Sequence, residues 1–261
     1  MADGSTAFLM YHELAREGRP LCRPEKGYAR YAVQESSFRQ QLDCIARLSL
    51  RGVAVSQALS NLTRKQVALT FDDGCETDLL IAAPLLQERN WNATFFITAG
   101  YTDKPGYLTS CQARELSSAG FEIGCHSMSH PYLDELNDAG LKRETVDAKL
   151  RLEDIIGSPV QHFSAPGGRL NPRVRGAVRQ AGYASLCTSR IGFNSTSTDP
   201  FQLARVPVLR STSLSDLECL LRGKGLLLPG LRQKTREIIR ACLGNRAYDA
   251  LRTRLLGDSS E

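Results

Sequence analysis

Two short stretches of the sequence carry side chains that can bind a cation and move protons. In "VALTFDDG", the adjacent carboxylates Asp72 and Asp73 follow a run of strand-forming residues. In "HSMSH", His126 and His130 come directly after a second strand-like run. Asp-Asp-Gly is also ordinary turn chemistry, and two histidines four residues apart can lie on a surface. One carboxylate with two imidazoles is nevertheless the three-ligand set typical of catalytic zinc sites.

The two neighbouring carboxylates can take different roles. Their mutual repulsion is relieved if a cation compensates the charge. One carboxylate then binds the cation while the other accepts a proton from the attacking water, and these residues alone do not say which does which. Because three protein ligands leave a coordination position open, the set is of the catalytic rather than the structural type. The pattern therefore predicts a hydrolytic centre with one divalent metal.

The elements that must position these side chains form an α/β pattern. Strand-like and amphipathic helical segments alternate over most of the 261 residues, which favours a largely parallel sheet or barrel. Seven strand-like segments favour the barrel. Because functional side chains gather at the carboxyl ends of parallel strands, both stretches are expected at one end of it. The predicted strands are 6–12, 67–71, 93–98, 121–126, 160–165, 183–189 and 203–209, and the predicted helices are 36–49, 77–89, 109–119, 138–156 and 172–181.

Composition indicates a globular chain. The hydrophobic content of 42% can supply a core, and no apolar run approaches the roughly 18 residues that span a bilayer. The opening "MADGSTAFLMYHE" has no basic segment followed by a long apolar stretch, so no secretory signal is expected. Eight scattered cysteines without a CxxC pair are typical of reduced thiols, which favours a cytoplasmic protein.

Three motifs in order carry a resemblance to a known family. "TFDDG", "HSMSH" and "FSAPGG" resemble the first three motifs of the polysaccharide deacetylases, carbohydrate esterase family 4, also called the NodB homology domain. The resemblance extends over residues 6–210 and includes "ATFFIT" and "VRQAGYASLCTS". It is closest to the circularly permuted branch with the poly-β-1,6-N-acetylglucosamine deacetylases. It implies a distorted (β/α)7 TIM-like barrel and metal-dependent removal of acetyl from an N-acetylated sugar.

Carried over by position, the resemblance implies a role for each motif residue. Asp72 would be the general base. The implied ligands of one divalent metal are Asp73, His126 and His130. Zinc is favoured, and Co²⁺, Ni²⁺ or Fe²⁺ fit the same ligands. In "SAPGG", which includes Pro166 as a supporting residue, the backbone N–H of Gly167 would polarise the acetyl carbonyl. Such a donor is worth about 3 kcal/mol in the transition state.

Two positions depart from the family pattern. Ser164 replaces the arginine that usually opens the third motif and pairs with the base. The usual general acid is a histidine near the end of the domain, and no histidine follows His162. The permuted branch takes its acid from an N-terminal strand, which predicts His12 in "LMYHE"; His162 is a weaker candidate, expected to face solvent. Arg205 is interpreted as the substitute positive charge, with a surface arginine as the alternative.

The sequence after residue 210 leaves the barrel pattern. The predicted domains are a barrel over 1–210 and a basic helical extension over 211–261. Between residues 220 and 256, nine Lys or Arg stand against two acids, whereas the whole chain carries only +5. Two interpretations stay open: a helix packed on the barrel with a solvated basic face, or a peripheral helix on an anionic membrane. The charge comes with no nucleic-acid-binding motif, so no nucleic-acid partner is expected.

These observations predict a cytoplasmic, metal-dependent de-N-acetylase that acts on a GlcNAc-type sugar in a glycan or exopolysaccharide pathway. The expected substrate is an N-acetylated saccharide, either lipid-linked or a short oligosaccharide. Two other functions stay open. The same site would hydrolyse an O-acetyl ester or another amide, and a chain that has lost its acid would be a non-catalytic glycan-binding module.

Overall fold

The computed structural model describes residues 5–224, except residue 24 and residues 63–64. Its strands are β1 (Thr6–Tyr11), β2 (Leu14–Ala15), β3 (Val33–Gln34), β4 (Arg51–Val53), β5 (Gln66–Phe71), β6 (Thr94–Ile97), β7 (Glu122–Cys125), β8 (His162–Ser164), β9 (Ser185–Cys187), β10 (Phe193–Asn194) and β11 (Val206–Pro207). Its α-helices are α1 (Lys26–Ala29), α2 (Glu35–Arg47), α3 (Val55–Ser60), α4 (Ala83–Gln87), α5 (Ser110–Ser118), α6 (Asp138–Lys142), α7 (Ala148–Ile156), α8 (Pro172–Gln180) and α9 (Leu214–Leu221).

The main sheet is almost wholly parallel and curls into a barrel. Strands β1, β5, β6, β7, β8 and β9 lie side by side in that order, with β4 on β5 and only β10 antiparallel to β1. After β9, Leu203 forms a parallel bridge with Cys187, and β11 pairs in parallel with β1. The segment from Leu203 to Pro207 therefore joins the last strand of the sheet to the first. The predicted (β/α) barrel class is confirmed.

Alternation along the strands sorts their side chains into two apolar layers. Tyr11, Phe71 and Phe95 are aligned across β1, β5 and β6 and stack with ring centroids 5.2 Å and 4.9 Å apart. They belong to the large cluster that includes the helices. Phe8 and Phe96 belong to a second, smaller cluster with Ala68 and Leu203. Because residues two apart share a face, Asp72 continues the face that carries Ala68.

The structure departs from the predicted elements in several places. Strands β2, β3, β4 and β10 and helices α1 and α3 were not predicted, because elements of two to six residues are too short to show a period. The predicted strand 203–209 is reduced to β11. The predicted helices 77–89 and 138–156 each contain a π-helical turn, Asp78–Ala82 and Arg143–Asp147. Such turns often occur at functional sites.

Helix α9 is the described part of the predicted C-terminal extension. Its Leu217 and Leu221 are buried in the large apolar cluster, and the helix packs against α2. Residues 225–261, which hold most of the basic charge, lie outside the described residues. The boundary at 210 and the membrane role therefore stay predictions. No helix in the described part of the chain combines the length and the apolar content needed to cross a bilayer.

Candidate metal and catalytic site

The candidate site lies at the carboxyl ends of the barrel strands. Asp72 follows β5, and its backbone N–H still donates to the carbonyl of Tyr11 at 2.9 Å. The ladder ends there, because Asp73 and Gly74 both have positive φ values, 84° and 80°. A Cβ on Gly74 would also lie 2.9 Å from the side chain of Ile97. The left-handed turn thus directs the two aspartates differently, and both are buried.

The structure brings Asp73 together with His126 and His130. The Oδ1 atom of Asp73 lies 3.5 Å from Nε2 of His126 and 3.4 Å from Nε2 of His130. Two ligands of one tetrahedral zinc, each about 2.1 Å from it, lie about 3.4 Å apart. Oδ1 is buried and has no hydrogen-bond partner among the described residues. A lone buried carboxylate oxygen is costly, so these three side chains fit a divalent cation.

The tautomer of His126 favours the same role. Its Nδ1 lies 2.8 Å from the carbonyl oxygen of Ser164, which can only accept a hydrogen bond, so Nδ1 carries the proton. Nε2 is then free to bind a cation, the usual arrangement for a ligating histidine. Burial, which outweighs the opposing charges of Asp72 and Asp73, lowers the pKa of His126 from 6.5 to about 4. The imidazole is therefore neutral at physiological pH, as a ligand must be.

A buried carboxylate, Glu144, holds the loop that carries the two histidines. Its oxygens accept hydrogen bonds from the backbone N–H groups of Met128 and Ser129 at 2.9 Å and 2.8 Å, and from the Ser129 hydroxyl at 2.7 Å. Glu144 lies in the π-helical turn Arg143–Asp147. Within the loop, His130 has φ 61° and donates its backbone N–H to the hydroxyl of Ser127. Sequence analysis missed Glu144, because a single acid in an amphipathic helix gives no signal of its own.

Arg205 lies in the barrel interior and pairs with Asp72. Its Nη1 and Nη2 donate to Oδ1 and Oδ2 of Asp72, both at 2.7 Å. Nη2 also donates to the Ser164 hydroxyl at 2.8 Å, and Nε donates to the carbonyl of Thr188 at 3.0 Å. Arg205 is fully buried. The structure thus places a positive charge beside Asp72, and the alternative of a surface arginine is wrong.

The environment holds Asp72 in its charged form. Burial alone would raise the pKa of this carboxyl, but the charge and hydrogen bonds of Arg205, with the nearby His126, hold it well below its ordinary value. The hydroxyl of Ser164, which stands where the family usually has arginine, donates to Oδ2 at 3.2 Å. Asp72 is therefore ionised throughout the neutral pH range and fixed by three donor atoms.

The two remaining histidines differ in their surroundings. His12 follows β1, stacks on Tyr31 with ring centroids 4.5 Å apart, and interacts electrostatically with both Asp73 and Asp72. Burial lowers its pKa, and its Nδ1 has no hydrogen-bond partner in the part of the chain that the structure describes. His162 is buried, so the expectation that it faces solvent is wrong. Its Nδ1 lies 2.8 Å from the Ser185 hydroxyl.

The third motif forms a tight turn beside Tyr132. Gly167 has φ 60°, and a Cβ built on it would lie 2.6 Å from the Tyr132 ring. Both the conformation and the close ring require glycine here. Pro166 is buried at the start of the turn, and the guanidinium of Arg169 lies 3.5 Å from the centroid of the same ring. The turn is therefore fixed by its packing against the Tyr132 ring.

Comparisons with known proteins identify deacetylases as relatives of this chain. Residues 60–186 match the family model for polysaccharide deacetylase. Peptidoglycan-N-acetylglucosamine deacetylase of Bacillus cereus is 32% identical over 126 residues, which cover 48% of this chain and 57% of that protein. Chitooligosaccharide deacetylase of a Bradyrhizobium species is 29% identical over 154 residues, 57% of this chain and 64% of that one. The matches thus span little more than half the length of these curated relatives.

Two solved structures share the fold over most of the chain. The deacetylase PplD of Streptococcus pyogenes, in complex with acetate, has a TM-score of 0.72 at 25% identity over 83% of this chain and 97% of that one. IcaB from Ammonifex degensii has a TM-score of 0.71 at 24% identity, and the match covers 85% of this chain and 98% of that one. The family-model match spans the segment that holds both aspartates and both histidines, so residues 60–186 belong to the polysaccharide deacetylase family.

Proposed function

We propose that this protein is a metal-dependent de-N-acetylase that hydrolyses the acetamide of a GlcNAc-type saccharide. One observation carries the proposal. Two adjacent buried aspartates have separate partners, since Asp73 faces His126 and His130 whereas Asp72 is paired with Arg205. This separation supplies a cation-binding carboxylate and a fixed proton acceptor side by side.

Asp72 would accept the proton of the attacking water. The ion pair with Arg205 keeps the carboxylate charged and oriented, but it also weakens the carboxylate as a proton acceptor, because the pKa is lowered. The water must therefore itself be made more acidic. A divalent cation, when bound by Asp73, His126 and His130, supplies that acidity and polarises the carbonyl oxygen.

The other half of the reaction needs an oxyanion donor and an acid. The backbone N–H of Gly167, in the turn packed on Tyr132, would stabilise the developing negative charge on the acetyl oxygen. His12 would protonate the departing amine. Its interaction with Asp72 and Asp73 supports a position at the site, and its lowered pKa makes the protonated ring a stronger acid. Pro166 and Arg205 support the two catalytic groups without moving a proton.

The substrate class follows from the relatives. The matched proteins are described as deacetylases of peptidoglycan N-acetylglucosamine and of chitooligosaccharides, which supports an N-acetylhexosamine saccharide for this chain. We place the reaction in glycan or exopolysaccharide synthesis, with a lipid-linked or short oligosaccharide as the acceptor. Zinc is the favoured metal, and Co²⁺, Ni²⁺ and Fe²⁺ remain candidates because they share these ligands.

Acetate release tests the proposal. The full chain, stripped with a chelator and reloaded with Zn²⁺, would be incubated with chitooligosaccharides, β-1,6-linked GlcNAc oligomers, peptidoglycan fragments and an O-acetylated sugar. We expect acetate from at least one N-acetylated saccharide, lost in the stripped protein and restored by metal. Release from the O-acetyl ester alone would make the protein an esterase. Saccharide binding without any release would make it a glycan-binding module.

We further propose a cytoplasmic protein in peripheral contact with anionic lipid. The seven described cysteines are free thiols, which supports a reducing compartment. The charge between residues 220 and 256 is +7, and each basic residue near an anionic surface contributes about 1 kcal/mol. Because α9 packs on the barrel, a truncation after Lys224 keeps that helix. Co-sedimentation with anionic vesicles should fall sharply in this truncation, and equal binding by both chains would remove the membrane role.

A further inference from the structure

A second cluster of ligand atoms lies beside the candidate active site. Glu13, Cys22 and Cys75 each offer one oxygen or sulfur atom, and these three atoms lie within 4.8 Å of one another. The two sulfurs are 3.0 Å apart, although the cysteines are separated by 53 residues in sequence. Glu13 and Cys75 are buried, and Cys22 is half-buried. The cluster therefore has a buried interior and a side open to solvent.

Hydrogen-bond donors lie beside the two sulfurs and the carboxylate. The Tyr28 hydroxyl lies 3.2 Å from the sulfur of Cys22 and 3.2 Å from that of Cys75, so it can donate to either. Both carboxylate oxygens of Glu13 lie within 3.1 Å of the backbone nitrogen of Cys22. That N–H orients the carboxylate and leaves lone pairs for another partner. Metal ligands are commonly held in place by such outer hydrogen bonds.

The cluster also carries more acidic groups than nearby cations can balance. Asp78 is fully buried, and neither of its carboxylate oxygens has a hydrogen-bond partner within the described ranges. Its electrostatic neighbours include Asp73, Cys22 and Glu13, all acidic. Arg19 interacts with Glu13, but its own hydrogen bond goes to Glu76 at 2.9 Å. Buried carboxylates without partners are expensive unless a cation accompanies them.

We propose that Glu13, Cys22 and Cys75 form a second metal site, which takes a thiophilic divalent cation of the Zn²⁺ type. Two thiolates and one carboxylate are ligands that zinc uses at short range, and sulfurs that share a tetrahedral zinc lie about 3.7 Å apart. The two sulfurs would have to separate by about 0.7 Å to reach that spacing. A disulfide would need the opposite movement, and it would leave Glu13 and Asp78 without a compensating cation.

The site would join three segments that meet at the active site. Glu13 is adjacent to His12, Cys75 is two residues from Asp73, and Cys22 belongs to the loop between β2 and α1. A cation held by all three would fix the end of β1 to the turn after β5. This positioning role does not depend on the proposed deacetylase activity, and three protein ligands leave a fourth coordination position for a solvent ligand.

Cobalt absorption tests the proposal. The reduced, chelator-stripped full chain would be titrated with Co²⁺, and thiolate-to-cobalt charge transfer would be followed in the near ultraviolet. The Asp73 site contains no sulfur, so this absorption does not report that site, and the Cys22→Ser variant assigns the band to the second site. We expect the band in the native chain and in Asp73→Ala, and its loss in Cys22→Ser. Cys219→Ser is the matched control, since Cys219 is an exposed cysteine on α9, and it should keep the band.

Two results would overturn the proposal. One is a folded, fully reduced native chain that binds Co²⁺ without any thiolate band. The other is a thiol titration of the untreated protein that finds Cys22 and Cys75 joined in a disulfide which persists when metal is added. Because the first measurement uses the native chain, the test does not depend on whether the Cys22→Ser variant folds. Circular dichroism reports the fold of each variant, and Co²⁺ binding at the Asp73 site also reports it for the two cysteine variants.

Discussion

Replacing Arg205 by methionine should be among the most destabilising single changes in the barrel interior. Arg205 is fully buried, and both of its terminal nitrogens bind Asp72 at 2.7 Å. Methionine retains apolar volume but leaves the Asp72 carboxylate without its counter-charge. Removing one partner of a buried ion pair costs about 3–5 kcal/mol, a large share of the about 5–15 kcal/mol that stabilises a typical protein. Arg205→Lys should cost less, because it keeps the charge but loses the two-nitrogen geometry.

The measurement is urea unfolding of the chelator-stripped chain, so that metal binding does not add to the free energy of unfolding. The matched control is Arg222→Met. Arg222 also forms an ion pair, at 2.8 Å with Glu218, but both side chains are largely exposed. An exposed pair is worth at most about 1 kcal/mol. If Arg205→Met costs no more than Arg222→Met, then the ion pair does not hold Asp72 in place and the argument is wrong.

A double substitution tests whether position 164 can carry the positive charge that pairs with Asp72. Ser164 touches both Asp72 and Arg205, so an arginine at 164 can reach Asp72 once position 205 is small. Ser164→Arg alone should be destabilising, since it adds a second buried guanidinium. The combination Ser164→Arg with Arg205→Ser should be more stable than the two single effects predict, by up to about 3 kcal/mol. Simple additivity would mean that position 164 cannot supply the charge.

The pH dependence of the Arg205 effect has a definite sign. Because the folded pKa of Asp72 lies below its ordinary value of 3.8, the carboxylate contributes stability above that pH and loses it as the pH falls through the folded pKa. In Arg205→Met, the main group that opposes burial is gone, so the pKa of Asp72 should rise. The difference in unfolding free energy between the native chain and the variant should therefore shrink as the pH falls from 7 toward 4. A difference that grows on acidification would contradict the assignment.

Four further predictions concern the site. Asp73→Ala should lose the metal of the Asp/His/His set, and unchanged occupancy in elemental analysis would exclude it as a ligand. Asp72→Asn should keep that metal and lose turnover at least about 100-fold; near-normal acetate release would place the base elsewhere. His12→Ala should remove the basic limb of the pH–rate profile. His162→Ala should keep that limb and lower the urea midpoint of unfolding. The reverse result would exchange the roles of the two histidines. Because burial lowers the pKa of His126 from 6.5 to about 4, the free energy of unfolding of the metal-free chain should rise by up to about 3 kcal/mol as the pH increases from 4 to 6.5. The control is His126→Gln, in which this rise should be smaller because the contribution of His126 is absent.

The sequence predicts best where local chemistry and strand period agree. Asp72 and Asp73 end a short alternating run and precede a glycine, so their place at a strand end is readable without a structure. The barrel follows from the alternation of strands and helices. These signals lie within a few residues of one another, and tertiary contacts do not have to be known to interpret them.

Other features depend on contacts that no local pattern contains. Glu144 reaches the histidine loop only because a π-helical turn directs it there. The pairing of Arg205 with Asp72 joins residues 133 positions apart. The expectation for His162 was wrong because both faces of strands in a parallel barrel are buried. His162 and Ser164, two residues apart, therefore share the interior face, while Phe163 packs in the large apolar cluster.

The strand that closes the barrel has a consequence for how the chain acquires its site during synthesis. Arg205 immediately precedes β11, whose two residues join the far edge of the sheet to β1. A nascent chain that has emerged only through β9 already holds both aspartates and all four histidines, yet it lacks the counter-charge for Asp72. Because this contact spans so much of the chain, it forms late, after the local helices and neighbouring strands. The ribosome must therefore release the segment after residue 200 before the water-activating carboxylate is fixed, and earlier intermediates carry an unbalanced charge in an open barrel.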